Sequence, residues 1–413
     1  MASPLKIEIL NTGSELLLGT TANTHGTWMG QELMKLGLRV QQQTTVPDGA
    51  PIEVALRESL RRADVVLVTG GLGPTSDDVT REALAAVLDK ELMRDEAAVR
   101  SIEEFFAKRK KRMVEANLKQ ADVIVGADVL PNPNGTAPGM YVPPRLGGAV
   151  FLLPGPPREL YPMFEAEVVP RLKGLVGGEG IPVMSELKFT GLGESELHEL
   201  LDEDLQAISG LEVGYCARLG EVDLRLIGPP EAVAEGKTLA LEHCRPNLIS
   251  EDGLSLEQRV VALLRTKMVK ITTAESCTGG LVASRITDVP GASEVFGYGF
   301  VTYSNEAKTA VLGVEENLLE AHGAVSEPVA EAMARGAQEN TGAAVAIAVT
   351  GIAGPGGGSD QKPVGTVCFG IATEDGVFSL TERHPRSRLD FKRQASQRAL
   401  DLVRRFLEGH PPL

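Results

Sequence analysis

The segment Thr273-Ala-Glu-Ser-Cys-Thr-Gly-Gly280 determines how the carboxyl-terminal part of this chain folds. Residues 268–273 predict a short β-branched strand, the pair Gly279-Gly280 predicts a tight turn, and residues 281–286 predict the first turns of a helix. Ser276 therefore lies where a strand is followed by a helix. The backbone amides at such a junction can bind a phosphate or stabilise the oxyanion that forms when a carbonyl is attacked.

Two further segments supply partners for this serine. Tyr303-Ser-Asn-Glu-Ala-Lys308 follows a second apolar run, 295–301, and predicts the start of a helix. Thr350-Gly-Ile-Ala-Gly-Pro-Gly-Gly-Gly358 is a second glycine turn. A serine hydroxyl needs a base near neutral pH, and a lysine serves when burial or a neighbouring charge lowers its pKa. Serine-lysine pairs are a known variant of the catalytic triad.

Each residue also has a simpler interpretation. A serine before a helix is often only an N-cap, a lone tyrosine packs, and a lone lysine is solvated. Cys277 is a rival nucleophile, but its usual partner is a histidine, and the nearest along this region, His322, is expected in a loop. A small buried thiol is the commoner state of such a cysteine.

The strings TAESCTGG, FVTYSNEAK, HGAVSEPV, TGIAGPGGG and KPVGTV, in that order, resemble the carboxyl-terminal domain of the CinA family. That family includes nicotinamide-mononucleotide amidohydrolases. The resemblance implies hydrolysis of this substrate to nicotinic acid mononucleotide and ammonia without a cofactor. It makes Ser276 the nucleophile and Tyr303 and Lys308 its proton-handling partners.

Turn chemistry adds candidate substrate-binding residues to this domain. The oxyanion candidates are Cys277, Thr278, Gly279 and Gly280. The phosphate candidates are Thr350, Gly351, Gly354, Gly356, Gly357, Arg388 and Arg393, although arginines on a terminal helix are often only solvated.

Composition excludes several classes of protein. The chain has 413 residues, 43% hydrophobic and 23% charged, as in ordinary globular proteins. Its net charge of -15 disfavours direct binding of nucleic acid. The dense basic run 108–112 is expected on the wet face of a helix, 96–118. The four cysteines have no zinc-binding spacing. The first residues lack a signal peptide, and no apolar run is long enough to span a membrane, so we expect a cytoplasmic protein.

The first module repeats strands and helices. Short apolar strands are predicted at 7–11, 40–46, 65–69, 123–126 and 150–153, and helices at 28–36, 52–62 and 80–87. This alternation predicts a mainly parallel sheet that is covered on both faces. Ligands bind such sheets at the carboxyl ends of the strands.

The strongest motif of this module is Val68-Thr-Gly-Gly-Leu-Gly-Pro-Thr-Ser-Asp-Asp78, which follows a strand. Its glycines allow a backbone to approach a phosphate, and its aspartates can hold a hard cation. A turn with a surface aspartate pair is the simpler interpretation. The candidate binding residues are Gly70, Gly71, Gly73, Thr75, Gly135, Thr136, Gly155 and Pro156. The candidate metal ligands are Asp77, Asp78, Glu15 and Asp48.

These strings resemble the molybdopterin-binding-type domain at the amino terminus of CinA proteins. The resemblance implies cleavage of ADP-ribose to AMP and ribose 5-phosphate with a divalent metal ion, Mg²⁺, Mn²⁺ or Co²⁺, and a monovalent cation as a further expectation. Leu72 stands where relatives that handle molybdopterin have threonine, which weakens a molybdenum-cofactor function.

Between the two modules, strands at 186–190 and 221–227 and helices at 194–205 and 230–244 predict a small α+β unit. The resemblance implies a KH-like fold here. An acidic helix and the lack of a lysine-rich glycine loop argue against RNA binding, so we expect a spacer or dimer element. The predicted domains are therefore 1–172, 173–249 and 250–413, in a homodimer that binds nicotinamide mononucleotide and ADP-ribose. The alternatives are a non-catalytic scaffold for competence or DNA damage and a molybdopterin-binding protein.

Overall fold

The chain divides into two compact units, residues 1–184 and 185–413. A computed structural model describes residues 5–144, 149–175 and 182–410. The expected fold classes are confirmed, with a mainly parallel α/β sheet first, a small α+β sheet in the middle and a mixed α/β sheet last. None of the helices in these described ranges has the length and apolar character needed to cross a membrane.

The first unit contains eight described strands, of which the first four are separated by helices and the last four follow one another. They are β1 (Ile7–Thr12), β2 (Val40–Val46), β3 (Val65–Thr69), β4 (Leu92–Arg94), β5 (Asp122–Ile124), β6 (Asp128–Leu130), β7 (Gly139–Val142) and β8 (Ala149–Leu153). Six form one sheet of order β2-β1-β3-β8-β7-β6, in which β2, β1, β3 and β8 run parallel. The strand order reverses between β1 and β3, which is where open α/β sheets bind ligands.

Helices cover both faces of this sheet. They are α1 (Ser14–Leu17), α2 (His25–Lys35), α3 (Ala50–Arg62), α4 (Thr80–Leu88), α5 (Glu96–Lys108), α6 (Pro157–Met163) and α7 (Val169–Leu175), with a 3-10 helix at Glu115–Ala121 and a π-helical turn at Phe164–Val168. One buried cluster contains Ile7 and Phe151, and a second contains Leu10 and Leu152. Because successive strand residues point to opposite faces, these two clusters are the two sides of the sheet.

Two predictions for this unit were wrong. The strand predicted at 123–126 is β5, which pairs antiparallel with β4 in a separate two-stranded sheet rather than joining the main one. The helix predicted at 96–118 ends at Lys108, because Lys110 has a left-handed backbone (φ 53°) that stops the helix. The basic run 108–112 is exposed, but only Lys108 belongs to the helix, so the run is not the helix face that was predicted.

The middle of the chain folds as a four-stranded sheet with two helices. Its strands are β9 (Val183–Thr190), β10 (Glu212–Arg218), β11 (Glu221–Gly228) and β12 (Leu248–Ser250), in the order β10-β11-β9-β12. Its helices are α8 (Glu194–Ala207) and α9 (Pro230–Cys244), followed by a 3-10 turn at Arg245–Asn247. Leu197, Leu201 and Leu205 pack from α8 onto the sheet, so the acidic residues of this helix face outward.

The carboxyl-terminal part is a five-stranded sheet of order β14-β13-β15-β16-β17. Its strands are β13 (Ile271–Glu275), β14 (Phe296–Val301), β15 (Val345–Gly351), β16 (Thr366–Thr373) and β17 (Gly376–Arg383). Its helices are α10 (Leu256–Lys267), α11 (Leu281–Thr287), α12 (Asn305–Leu312), α13 (Glu316–His322), α14 (Glu327–Thr341) and α15 (Arg388–Leu407), with a 3-10 turn at Ala292–Glu294.

Strands β14, β13 and β15 run parallel, and the last two strands run antiparallel. The segments that follow the three parallel strands therefore meet at one edge of the sheet. These are the segments that begin at Ser276, Thr302 and Ile352. The topology thus brings together the three motifs that the sequence singled out.

Candidate active site

Ser276 lies in a turn that is held tightly to the sheet. It directly follows the wholly buried strand β13, and its amide donates to the carbonyl oxygen of Val349 on the neighbouring strand (2.9 Å). The amide of Gly279 donates to the carbonyl oxygen of Ser276 (3.1 Å) and closes the turn. Gly279 and Gly280 have φ of 61° and 90°, which other residues rarely adopt, so the glycine pair is required here.

The side chain of Glu275 fixes the helix that follows the turn. It is fully buried, and its two carboxylate oxygens accept from the amides of Ala283 (2.8 Å) and Val282 (3.0 Å) in the first turn of α11. A carboxylate at a helix amino terminus satisfies free amides and interacts favourably with the helix dipole. Glu275 therefore joins the end of β13 to the start of α11. This role of Glu275 could not be predicted from the sequence, because a capping residue normally stands directly before its helix.

Lys308 reaches the serine from α12. Its amine donates to the hydroxyl oxygen of Ser276 (3.1 Å), and also to the carbonyl oxygens of Thr302 (2.9 Å) and Tyr303 (3.4 Å). The side chain of Lys308 is about as buried as any in the core, with 1% of its surface exposed. Burial lowers the pKa of this amine below its ordinary value. The neutral amine can then accept the serine proton across the same contact.

The hydroxyl of Tyr303 is hydrogen-bonded to Arg388 rather than to Ser276. It accepts a hydrogen bond from the guanidinium of Arg388 (2.9 Å), and its ring is 60% exposed. The described residues show no hydrogen bond between the Tyr303 hydroxyl and Ser276. The structure therefore connects Tyr303 to Lys308 only through its backbone oxygen, and its predicted proton-handling role has no geometric support.

The thiol of Cys277 points into the core rather than the turn. It belongs to the buried cluster that contains Phe391, and a Cβ added at Gly351 would lie 3.1 Å from its sulfur. Burial raises its pKa to about 12, so the thiol is protonated at neutral pH. His322, expected in a loop, ends helix α13. Its carbonyl oxygen accepts from the Lys362 amine (2.6 Å), and within the described residues its ring makes no hydrogen bond. Cys277 therefore lacks both the thiolate form and the neighbouring base that a cysteine nucleophile needs.

Three amides of the turn remain available to an oxyanion. The Gly279 amide is bound within the turn, but within residues 182–410 those of Cys277, Thr278 and Gly280 donate to no other residue. The hydroxyl of Thr278 is also buried without a partner. The candidate oxyanion hole is therefore these three amides, and Gly279 contributes its backbone conformation.

Arg388 connects the second glycine turn to Tyr303. One guanidinium nitrogen of Arg388 donates to the carbonyl oxygen of Gly354 (2.9 Å) while the other binds Tyr303. Gly354 has φ of 73°, and Gly356 and Gly357 are exposed. The Thr350 hydroxyl donates to the carbonyl oxygen of Ala324 (2.8 Å), so it stabilises the turn from below.

A second cation beside the turn was missed in the sequence analysis. A Cβ added at Gly279 would lie 3.5 Å from the amine of Lys392, one helical turn after Arg388 on α15. Among the described residues, this helix forms ion pairs through Arg393, Arg398 and Arg404, and Lys392 forms none. Arg393, which was a candidate, is paired with Asp390 (3.7 Å) on another face of the helix. Spacing of i, i+4 from Arg388 is the signal that would have indicated Lys392.

The glycine loop of the first unit, residues 70–78, follows β3 and contacts the end of β1. A Cβ at Gly70 would lie 2.5 Å from the carbonyl oxygen of Thr12, and one at Gly71 would overlap the Thr80 hydroxyl. A Cβ at Gly155, after β8, would lie 3.9 Å from the Cα of Gly70. Gly70, Gly71 and Gly155, with the adjacent Pro156, therefore meet at the expected edge of the sheet.

Gly135 and Thr136 belong to another turn of this unit. A Cβ at Gly135 would overlap the carboxylate of Glu159, which accepts from the Asn132 amide (2.9 Å). The Thr136 hydroxyl accepts from Gln120 (3.0 Å). Both residues are thus occupied with local packing and hydrogen bonding.

The four predicted metal ligands are not gathered around one point. Asp78 accepts from the amide (2.9 Å) and hydroxyl of Thr75, and Asp48 accepts from the amide and hydroxyl of Ser14 (both 2.9 Å). The Asp77 pKa is lowered by a hydrogen bond from Thr75. In the described ranges, no group of three or more His, Cys, Asp or Glu side chains is arranged to hold a metal ion. The carboxylates present therefore do not fit the expected cation.

Three family descriptions match the chain. They are "Probable molybdopterin binding domain" over residues 8–174, "Damage-inducible protein CinA KH domain" over 185–245 and "CinA C-terminal domain" over 254–407.

Relatives extend over the whole chain. A "CinA-like protein" of Akkermansia muciniphila is 51% identical over 399 residues, covering 96% of both chains. A "Putative competence-damage inducible protein" of Symbiobacterium thermophilum is 45% identical over 421 residues, covering 98% of this chain and 99% of its own. A solved structure, the competence/damage inducible protein CihA from Agrobacterium tumefaciens, is 41% identical, with a TM-score of 0.35, and covers 36% of this chain and 91% of its own. The chain belongs to the CinA family.

Proposed function

We propose that the carboxyl-terminal domain is an amidohydrolase that converts nicotinamide mononucleotide to nicotinic acid mononucleotide and ammonia. The observation that carries this proposal is the 3.1 Å contact between the Ser276 hydroxyl and the buried amine of Lys308. A hydroxyl paired with a lysine of lowered pKa, next to three unbound amides, is equipped for acyl transfer.

In the first half of the reaction, neutral Lys308 accepts the Ser276 proton while the serine oxygen attacks the carboxamide carbon. The amides of Cys277, Thr278 and Gly280 stabilise the negative charge on the carbonyl oxygen. Lys308 then donates the proton to the leaving nitrogen, the carbon-nitrogen bond breaks, and ammonia departs. An ester on Ser276 remains.

In the second half, Lys308 accepts a proton from water as the water oxygen attacks the ester carbon. The bond to Ser276 breaks, the proton returns to the serine oxygen, and the carboxylic acid is released. The experiment that tests the proposal is an assay of ammonia from nicotinamide mononucleotide, with separation of the products by chromatography. Absence of ammonia would contradict it.

We further propose that Arg388 and Lys392 bind the substrate phosphate. The two side chains are separated by one turn of α15 and lie beside the Gly354 and Gly279 turns, respectively. Two cations on one side of the crevice favour a dianionic group.

Lys392→Gln should lower kcat/KM for nicotinamide mononucleotide by about 10- to 100-fold, because a hydrogen bond between charged groups contributes about 1.5–3 kcal/mol. With nicotinamide riboside, which lacks the phosphate, the change should stay under about threefold. Arg393→Gln, the neighbouring exposed cation, should alter neither value by more than about threefold. Equal losses with both substrates would show that Lys392 does not recognise the phosphate.

Cys277→Ala should keep ammonia release within about threefold of the unmodified protein, because its thiol is buried and protonated. Removing the buried sulfur should lower the free energy of unfolding by about 1 kcal/mol. Ammonia release and thermal unfolding of one preparation give both values. A loss of activity as complete as that of Ser276→Ala would make Cys277 part of the chemistry.

For the amino-terminal domain we propose ADP-ribose as the ligand, with cleavage to AMP and ribose 5-phosphate. The glycine loop 70–78 at the reversal of strand order supports binding of the phosphate groups. No step is assigned to a metal ion, since the carboxylates do not fit one. Incubation with ADP-ribose, with and without divalent cations, tests cleavage. A pterin-binding protein would bind molybdopterin in preference, and a pure scaffold would neither bind nor cleave ADP-ribose.

A further inference from the structure

Two basic side chains donate hydrogen bonds to the backbone carbonyl groups of the glycine loop in the amino-terminal domain. The guanidinium of Arg81, on α4, donates to the carbonyl oxygens of Leu72 (2.8 Å) and Gly73 (3.2 Å). The amine of Lys119, on the 3-10 helix, donates to those of Asp78 (2.6 Å) and Thr75 (3.3 Å). Four carbonyl groups of the loop are thus turned toward the protein.

The amides of the same loop are unoccupied. The carbonyl oxygen of Gly71 accepts from the amide of Thr80 (3.2 Å), but within residues 5–144 the amides of Gly71, Leu72 and Gly73 make no hydrogen bond. In a trans peptide the amide and carbonyl point in opposite directions. The bonds to the carbonyl oxygens of Gly71 and Leu72 therefore direct the amides of Leu72 and Gly73 away from the protein. Successive amides in such a loop form a concave anion-binding site.

No carboxylate binds Arg81 directly. Its side chain is fully buried, its Nε has no hydrogen-bond partner, and no carboxylate oxygen of the described residues lies within 4.0 Å of its guanidinium. Lys119, in contrast, forms an ion pair with Glu82 (3.2 Å). The carboxylates of Glu82, Asp78 and Asp122 act on Arg81 from a distance, but burial is the larger influence and lowers the pKa of the guanidinium. An anion bound at the loop would add to this incomplete compensation of the charge.

We propose that Arg81 and Lys119 are positioning residues that shape the glycine loop into a site for a phosphate group, and that this site binds phosphate through backbone amides without a divalent cation. The inference deepens the proposed binding of ADP-ribose. It assigns the phosphate group to backbone amides rather than to a metal ion held by Asp77 and Asp78. One oxygen of Asp78 already accepts a hydrogen bond from the Thr75 amide.

Calorimetric titration of the full chain with AMP and with inorganic phosphate, in excess EDTA, tests the proposal. The unmodified protein should bind AMP in EDTA. Arg81→Met and Lys119→Gln should each weaken this binding by about 10- to 100-fold. Arg81→Lys should recover part of the loss, because it keeps the cation and one donor to the loop. A purely structural role of Arg81 would instead change thermal unfolding without a matching change in affinity.

Matched variants assign the signal to this loop. Arg57→Gln removes an exposed arginine that pairs with Glu53 (2.7 Å) in the same domain, and should bind AMP as the unmodified protein does. Lys267→Gln removes an exposed cation of the carboxyl-terminal part and should also bind AMP as the unmodified protein does.

Two results would overturn the proposal. One is binding that disappears in EDTA and returns with Mg²⁺, and the other is unchanged affinity in folded Arg81→Met and Lys119→Gln. If Arg81→Met does not fold, the AMP affinity of Lys119→Gln tests the proposal, because the Lys119 side chain is partly exposed and its replacement should be tolerated. Failure to cleave ADP-ribose would contradict only the proposed reaction, since AMP binding in EDTA is measured separately.

Discussion

Ser276→Ala should lose at least about 10³-fold in ammonia release from nicotinamide mononucleotide, because no other group is placed to attack the carboxamide. Cys277 has a protonated thiol in the core, and Tyr303 is bonded to Arg388. The substrate should still bind with an affinity within about threefold of the unmodified protein. Removal of one hydroxyl leaves the two phosphate-binding cations in place. Ammonia assays and equilibrium binding to the same preparations measure the two effects.

Ser284→Ala is the matched control for this substitution. Ser284 is exposed on α11, only two turns from Ser276, and its replacement should leave the rate within about twofold. A rate of Ser276→Ala within tenfold of the unmodified protein would require a direct attack by water. Lys308 would then act on water alone, and no ester would form.

Lys308→Met should lower the rate by about 10²- to 10⁴-fold, the range expected when a general base is removed. Met has a similar length without the amine, so packing is retained. The protein should unfold at a similar temperature, because removal of the buried amine ends its desolvation cost while the carbonyl oxygens of Thr302 and Tyr303 lose a donor. Lys267→Met, at an exposed position on α10, is the control and should have little effect on either quantity. A Lys308→Met protein that keeps full activity would contradict the proposed base.

The pH dependence follows from the direction of the Lys308 pKa. Burial lowers it in the folded protein, and only the neutral amine accepts the serine proton. The rate should therefore rise with pH through an apparent pKa below 10.5. The unfolded chain binds more protons between the folded pKa and 10.5, so this lysine also makes the folded state more stable as pH rises across that window. Both slopes should be missing in Lys308→Met.

The sequence predicted most of the fold because periodicity and turn residues are local signals. Strands at 40–46 and 65–69 and the helix at 230–244 have the bounds that were predicted. Strand β10 was missed, since four of its seven residues are exposed and it gives little hydrophobic pattern. The pairing of β5 with β4 was also missed, because sheet membership depends on contacts between distant segments.

Some residues of the candidate sites could be predicted from the sequence, and others could not. Ser276 and Lys308 were found because each stands in an unusual string of residues, and the sheet brings them together. The roles of Glu275 and Arg81 depend on which backbone groups they meet after folding, which spacing does not reveal. The expected metal ligands could not be placed for a related reason. Asp48 and Asp78 have the right chemistry, but one oxygen of each accepts from Ser14 and Thr75, respectively, and folding gathers no group of three ligands in the described ranges.

In the proposed reaction, Ser276 attacks the carboxamide with the help of Lys308. The most direct test of this attack is rapid acid quenching of a reaction with nicotinamide mononucleotide, followed by mass spectrometry of the peptides. We expect the peptide that contains Ser276 to gain the mass of the acyl group of the product, and the same peptide from Ser276→Ala to remain unchanged. Ammonia release without such an ester, or an adduct on Cys277, would contradict the proposed attack by Ser276.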